Sequence, residues 1–172
     1  MSKKIIKCGL SQKSIQNAIN QLKSYQNELK NKNELFVQRL AELGIPVIDQ
    51  NIMMVQGDSD KSHNTYIKIN RFDDYAQATL VCESSSILFL EFGSGIHYNT
   101  PAGSSPHPKG EEFGYTIGSY GQGKGKNESW VYVSDSGEWV RSYGTQATMP
   151  VYKASVEMMQ NIRRIAKEVF SA

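Results

Sequence analysis

The chain has 172 residues, enough for one domain with its own core and without a disulfide staple. Nineteen basic residues against 17 acidic ones leave a formal charge of +2, too weak a field to mark a nucleic-acid or membrane-surface protein. Two cysteines, Cys8 and Cys82, exclude a disulfide framework or a cysteine metal site, and their apolar neighbours predict reduced, half-buried thiols. The basic start, Met1-Ser2-Lys3-Lys4-Ile5-Ile6, has only two apolar residues in a row and does not read as a signal peptide. No stretch approaches the ~18 apolar residues of a membrane span. The expectation is a protein made in a cytosol.

Lys4 to Leu10 reads as a short strand. Ser11 offers a helix N-cap, and Ile15, Ala18, Ile19, Leu22, Tyr25 and Leu29 follow at helical spacing, opposite Lys13, Gln16, Asn17, Lys23 and Lys30. Asn31-Lys32-Asn33 interrupts the stripe, Leu35, Phe36, Leu40 and Leu43 resume it, and Gly44-Ile45-Pro46 carries stop signals. One kinked helix, or two consecutive ones, is predicted over 11–43. Alternating residues predict strands within 65–82, with turns at 56–60 and 70–74. Ile87-Leu88-Phe89-Leu90 is too short an apolar run for periodicity to decide.

Eleven of the fourteen glycines and three of the five prolines fall between Gly93 and Gly144. Long glycine-rich excursions are expensive to order, so such segments are usually lids, binding loops or disorder. Here they predict a loop over 94–126. Ser134-Asp135-Ser136-Gly137 then joins two aromatic, β-branched runs into a hairpin over 130–143, with Gly137 free to take positive φ. Tryptophan in a hairpin more often anchors a sheet than binds a ligand, so the hairpin is assigned to the fold and the loop to partner contact. Pro150 suits a helix first turn, and the pattern predicts a helix over 149–170 whose apolar face is wider than one core contact needs. The class is α+β. A long N-terminal helix and a C-terminal helix pack on a mostly antiparallel β-sheet, in a single domain over 1–172.

Candidate chemistry is thin. Gly118-Ser119-Tyr120-Gly121-Gln122-Gly123-Lys124-Gly125 lacks the Ser or Thr after lysine that a phosphate-binding loop uses on magnesium, and a strand, not a helix, follows it. His97 and His107, separated by glycine and prolines, and the distant His63 lack metal-ligand spacing and read as solvated loop histidines. No Gly-x-Ser-x-Gly elbow is present, and Cys82 has no histidine near it in sequence. Lys13, Lys23, Lys30 and Lys32 against Glu28 make the first helix basic, which suits a nucleic acid or an acidic partner. The plainer reading is a solvated face over a core-facing stripe. No cofactor, metal or catalytic residue is predicted. Surplus apolar surface and a loop that cannot pack on its own body favour assembly.

The feature order resembles the small tail-component or tail-completion proteins of long-tailed bacteriophages and prophages. The phrases that carry it are Leu90-Glu91-Phe92-Gly93-Ser94-Gly95-Ile96, the aromatic hairpin Trp130–Val133 with Glu138–Tyr143, and Gly144-Thr145-Gln146-Ala147-Thr148-Met149-Pro150. The likeness is clearest over 86–172. The chain departs from it by having no arginine before Pro150 and only a partial echo, Ile45-Pro46-Val47-Ile48-Asp49, of the turn many relatives carry after the first helix. The resemblance implies a non-enzymatic virion protein at the head–tail neck, assembled in the host bacterial cytoplasm. It would form a ring, commonly six-fold, between connector and tail tube, with DNA able to pass through it and no specific nucleic-acid or membrane binding. The oligomer or partner contacts expected on this reading are Glu91, Phe92, Gly93, Gly95, His97, Lys109, Lys124, Lys126, Met149, Tyr152, Met158 and Met159. The competing classes are a small hydrolase with a glycine-rich lid and a nucleic-acid-binding module.

Overall fold

The computed structural model describes residues 5–55, 61–95, 105–114, 129–134 and 136–171. Along the chain run α1 (Gln12–Met53), β1 (Asn64–Arg71), β2 (Ala76–Glu83), α2 (Ile87–Phe92), β3 (Trp130–Val133), β4 (Trp139–Ser142) and α3 (Pro150–Ser171). The class is α+β, with the N- and C-terminal helices packed against a small antiparallel sheet. The single predicted sheet is two separate two-stranded ones, β1–β2 and β3–β4. The predicted strand at Lys4–Leu10 is absent over residues 5–10, which are irregular.

The chain divides into two compact units. The first comprises Met1–Gly44, Tyr66–Val81 and Glu157–Ala172. In it the rings of Phe36 on α1 and Phe170 on α3 lie 5.9 Å apart, and Arg39 reaches Glu168 at 3.9 Å. The β1–β2 connection closes with Phe72 N–H donating to the Tyr75 carbonyl at 3.0 Å, the two rings stacked at 4.3 Å. Arg71 donates to Glu34 at 2.6 Å and Lys30 lies 3.7 Å from Asp73, tying this hairpin to α1. Ala18, Ala41, Ile165 and Val169 are buried here.

The second unit comprises Ile45–Thr65 and Cys82–Val156. It holds the last turns of α1, which the stop signals placed outside any helix. Pro46 lies inside α1, where a missing N–H and a ring clash cost about 3 kcal/mol. Ile48, Ile52 and Val55 are all but fully buried, each contributing roughly 1.5–3 kcal/mol, and their sum outweighs the proline. Asn51 is buried with them. Its amide donates to the Val47 carbonyl and its oxygen accepts from Lys153 Nζ, each at 2.8 Å. The Asn31–Asn33 interruption is likewise overridden, since α1 is continuous. Ile87–Leu90, undecided by period, opens α2, whose end is buried at Leu90, Glu91 and Phe92.

Candidate functional site

The two phrases that bound the glycine-rich stretch meet. Ser94 N–H donates to the Thr145 carbonyl at 2.9 Å, and Thr145 N–H lies 3.1 Å from the Ser94 carbonyl and 3.0 Å from Ser94 Oγ, an antiparallel bridge. Gly144 is needed for this approach, because a Cβ there would sit 2.1 Å from the Ser94 oxygen at φ +100°. Trp130 covers the clasp, its ring 3.0 Å from where a Cβ on Gly95 would project.

One step outward, α2 organises the start of α3. The Leu90 carbonyl accepts from Thr148 N–H at 2.9 Å and Met149 N–H at 3.1 Å. The Glu91 carboxylate then accepts from Val151 N–H and Tyr152 N–H, each at 2.8 Å. Pro150 has no N–H, and Lys153 N–H bonds to the Met149 carbonyl, so the donors of the first turn are accounted for. No acidic residue lies in that first turn, and Glu91 supplies from 60 positions away the negative charge a helix N-terminus favours. Met149 takes a left-handed φ of 54°, and Thr148 Oγ1 is buried without a partner among the described residues, so local strain gathers where the chain enters α3.

His107 completes the cluster and corrects its reading as a solvated loop histidine. Its side chain is 4% exposed and that of Glu91 9%, with Nε2 3.0 Å from Glu91 Oε1. Lys109 N–H donates to Nδ1 at 3.0 Å, which makes Nδ1 the acceptor and leaves the ring proton on Nε2, donated to Glu91. The ring packs at 4.6 Å from Phe92 and 5.1 Å from Tyr152. Ser105 Oγ holds the segment down by donating to the Phe92 carbonyl at 2.7 Å. With both nitrogens engaged and the ring buried, His107 has no free nitrogen to serve as a base.

Of the residues assigned to partner contact, Glu91, Phe92, Gly93 and Gly95 are buried in this cluster and occupied internally. Met149, Tyr152 and Lys109 join it, Lys109 with its backbone, while its Nζ lies 5.9 Å from the Phe113 ring. Met158 is half-buried and Met159 exposed, both on the part of α3 in the first unit. His97, Lys124 and Lys126 lie outside the described residues, as does most of the predicted 94–126 loop.

Exposed apolar residues gather on the hairpin. The register Trp130↔Ser142, Val131↔Arg141, Tyr132↔Val140 and Val133↔Trp139 puts Trp130, Tyr132 and Val140 on one face. Trp130 turns that face toward the clasp. Val131, Val133 and Trp139 occupy the other with Arg141 and are 51%, 51% and 76% exposed, against 39% for Trp130 and 47% for Tyr132 on the first. Sequence reasoning missed this surface, because alternation says that a strand has two faces and not that both stay exposed.

Elsewhere in this unit His63 lies 3.1 Å from Asp49 Oδ1 and 2.7 Å from the Lys61 carbonyl, and Thr65 Oγ1 donates to the same Asp49 oxygen at 3.1 Å. Burial pushes the nearby Cys82 thiol above its ordinary range. A hydrogen bond with Thr65 opposes that rise, and the Asp49 and Glu91 carboxylates add to it. Cys8 is exposed, not half-buried as its neighbours predicted. Among the described residues no three His, Cys, Asp or Glu side chains are grouped to hold a metal. A cavity of about 380 Å³ in the first unit is lined by Asn27, Lys30, Glu34, Arg71, Phe72 and Tyr75 among others, with no histidine, cysteine or serine. No helix of the described residues is long and apolar enough to cross a membrane. Compared with family models, curated proteins and solved structures, the chain matches none.

Proposed function

We propose that the chain is a non-enzymatic structural subunit of a phage or prophage virion, acting in tail completion at the head–tail neck as a member of a ring between connector and tail. The observation that carries an assembly role is the outward hairpin face of Val131, Val133 and Trp139. A two-stranded hairpin is marginal by itself and has open edges, so one bearing apolar groups outward gains from a neighbour. Ring subunits meet through unlike faces that close by rotation, and a projecting hairpin suits such a contact. The neck assignment rests on the likeness of the phrases at 90–96 and 144–150 to tail-completion proteins. The hairpin, read from sequence as fold, takes the contact role here.

The test is native mass spectrometry of the chain alone and mixed with the products of the genes that flank its own. The expected result is a ring, or a docked complex, that is lost in Val133→Ser/Trp139→Ser while the melting temperature is unchanged. Equal assembly by that variant would remove the hairpin from the interface. A chain that engages no neck protein would overturn the neck assignment.

A further inference from the structure

The β1–β2 turn is tied to the face of α1 that the sequence assigns to solvent. Asn27, Lys30, Asn31 and Glu34 recur at i, i+3, i+4 and i+7, and so share that face. Arg71 meets Glu34 at 2.6 Å and Asp73 meets Lys30 at 3.7 Å, which anchors the turn over them. Between helix and turn lies the cavity of about 380 Å³, toward the lower end of the ~300–1,000 Å³ of small-molecule sites. All of its lining belongs to the first unit. The Asn31-Lys32-Asn33 interruption and the turn at 70–74, both singled out in the sequence, thus come together at one place.

Two kinds of group line this cavity. One kind is polar and directional. The side-chain amides of Asn27 and Asn31 each offer a donor and an acceptor, and among the described residues neither amide is hydrogen-bonded. Glu34 and Arg71 add a charged acceptor and a charged donor side by side. The other kind is aromatic. Phe72 and Tyr75 are both exposed, their rings stacked at 4.3 Å, and Phe72 N–H donates to the Tyr75 carbonyl at 3.0 Å. The stack and the turn hydrogen bond set these rings in place before any ligand arrives.

Charge narrows the ligand. Lys30 and Arg71 stand against Glu34, Asp73 and Asp74, and each cation already has a carboxylate partner. A phosphate or other anion would therefore find no uncompensated cation. A wholly apolar ligand would strip water from the amides and ion pairs and return no hydrogen bonds. A neutral polyhydroxy ring meets both kinds of group. Its neighbouring hydroxyls donate and accept as the amides and the Glu34–Arg71 pair do, and its C–H face can rest on an aromatic ring. We propose that this cavity is a binding site for a neutral saccharide. Asn27, Asn31, Glu34 and Arg71 take its hydroxyls, and Tyr75, the more exposed of the two rings, takes its C–H face. The site is separate from the β3–β4 hairpin and does not depend on the neck assignment.

The full chain is titrated, by saturation-transfer NMR, with the methyl glycosides of glucose, galactose, mannose and N-acetylglucosamine. Saturable binding of at least one of them, in the ~millimolar range and little changed by salt, is expected. Tyr75→Ala should weaken it about tenfold, through loss of the ring that the sugar rests on. Asn31→Ala should weaken it by about the same factor, through loss of a donor and an acceptor. Alanine is the better helix former at an exposed position, so Asn31→Ala should leave the melting temperature level or raised, which separates lost binding from lost folding. The proposal is overturned if none of the four glycosides binds, or if both variants bind like the native chain. It is also overturned if inorganic phosphate or choline binds more tightly than the best glycoside.

Discussion

Gly144 and Gly137 both take positive φ, at +100° and +83°, yet substituting them has unequal consequences. At Gly137 the space beside the backbone is open, so Gly137→Ala carries only the left-handed strain, about 1–2 kcal/mol. At Gly144 the new carbon would collide with the Ser94 carbonyl, part of the bridge itself, so Gly144→Ala should cost more than about 3 kcal/mol. Urea unfolding of the two variants measures the difference. Cysteine chemistry separates in the same way. Because the folded-state pKa of Cys82 is raised, the native protein keeps that proton to higher pH than the unfolded chain does. Its stabilising contribution is complete below the unfolded-state pKa and is lost as pH rises through the folded one. Stability should therefore decline on the alkaline side, and Cys82→Ala should flatten that decline. At neutral pH iodoacetamide should modify exposed Cys8 well before Cys82, which peptide mapping would show.

At the scale of elements, α1 and α3 each depend on something their own sequence does not advertise. The first turn of α3 contains no capping side chain after Pro150, and its donors are met by Glu91 on α2. Glu91→Gln presents an NH₂ group to donors that need acceptors and leaves His107 poorly matched, a loss of about 2–4 kcal/mol. Thermal unfolding gives the total, and amide exchange at Val151 and Tyr152 localises it. Pro46 in α1 is the converse, a residue at odds with its element. Pro46→Ala restores an N–H within reach of the Glu42 carbonyl and should stabilise the protein by about 1–3 kcal/mol, read as a higher urea midpoint. Pro150 and helical spacing made α3 itself legible, but not its need for an outside acceptor. Which residue supplied it was not legible, because nothing local links positions 91 and 151.

Over the whole molecule, local signals were read well and long-range ones poorly. Helical spacing found both terminal helices, Ser11 found the start of α1, and Gly137 found the hairpin turn, since each acts within a few residues. Gly44-Ile45-Pro46 was read as a helix end. It marks instead the place where α1 passes from one compact unit to the next, and the burial of Ile48 and Ile52 that carries the helix onward depends on distant chain. The phrases at 90–96 and 144–150 carry the family resemblance in the sequence, and Glu91, Phe92, Gly93, Gly95 and Met149 within them were read as contacts. In the structure Ser94 and Thr145 clasp the two phrases together, and glycine and glutamate serve there for close approach and capping.

That clasp has a consequence for how the chain tolerates change. Because Ser94 and Thr145 are hydrogen-bonded neighbours, everything between them begins and ends at one point, like an attachment fitted to a socket. Lengthening a flexible loop held at both ends costs little, about 0.6 kcal/mol for each doubling. The residues that must stay are those of the socket, Ser94, Gly95, Gly144 and Thr145, and those folded onto the Glu91 cluster, Ser105 and His107. The hairpin turn at Gly137, where the space beside the backbone is open, is the part of that attachment that can be exchanged, which makes it the natural position for grafting a foreign peptide without disturbing either helix.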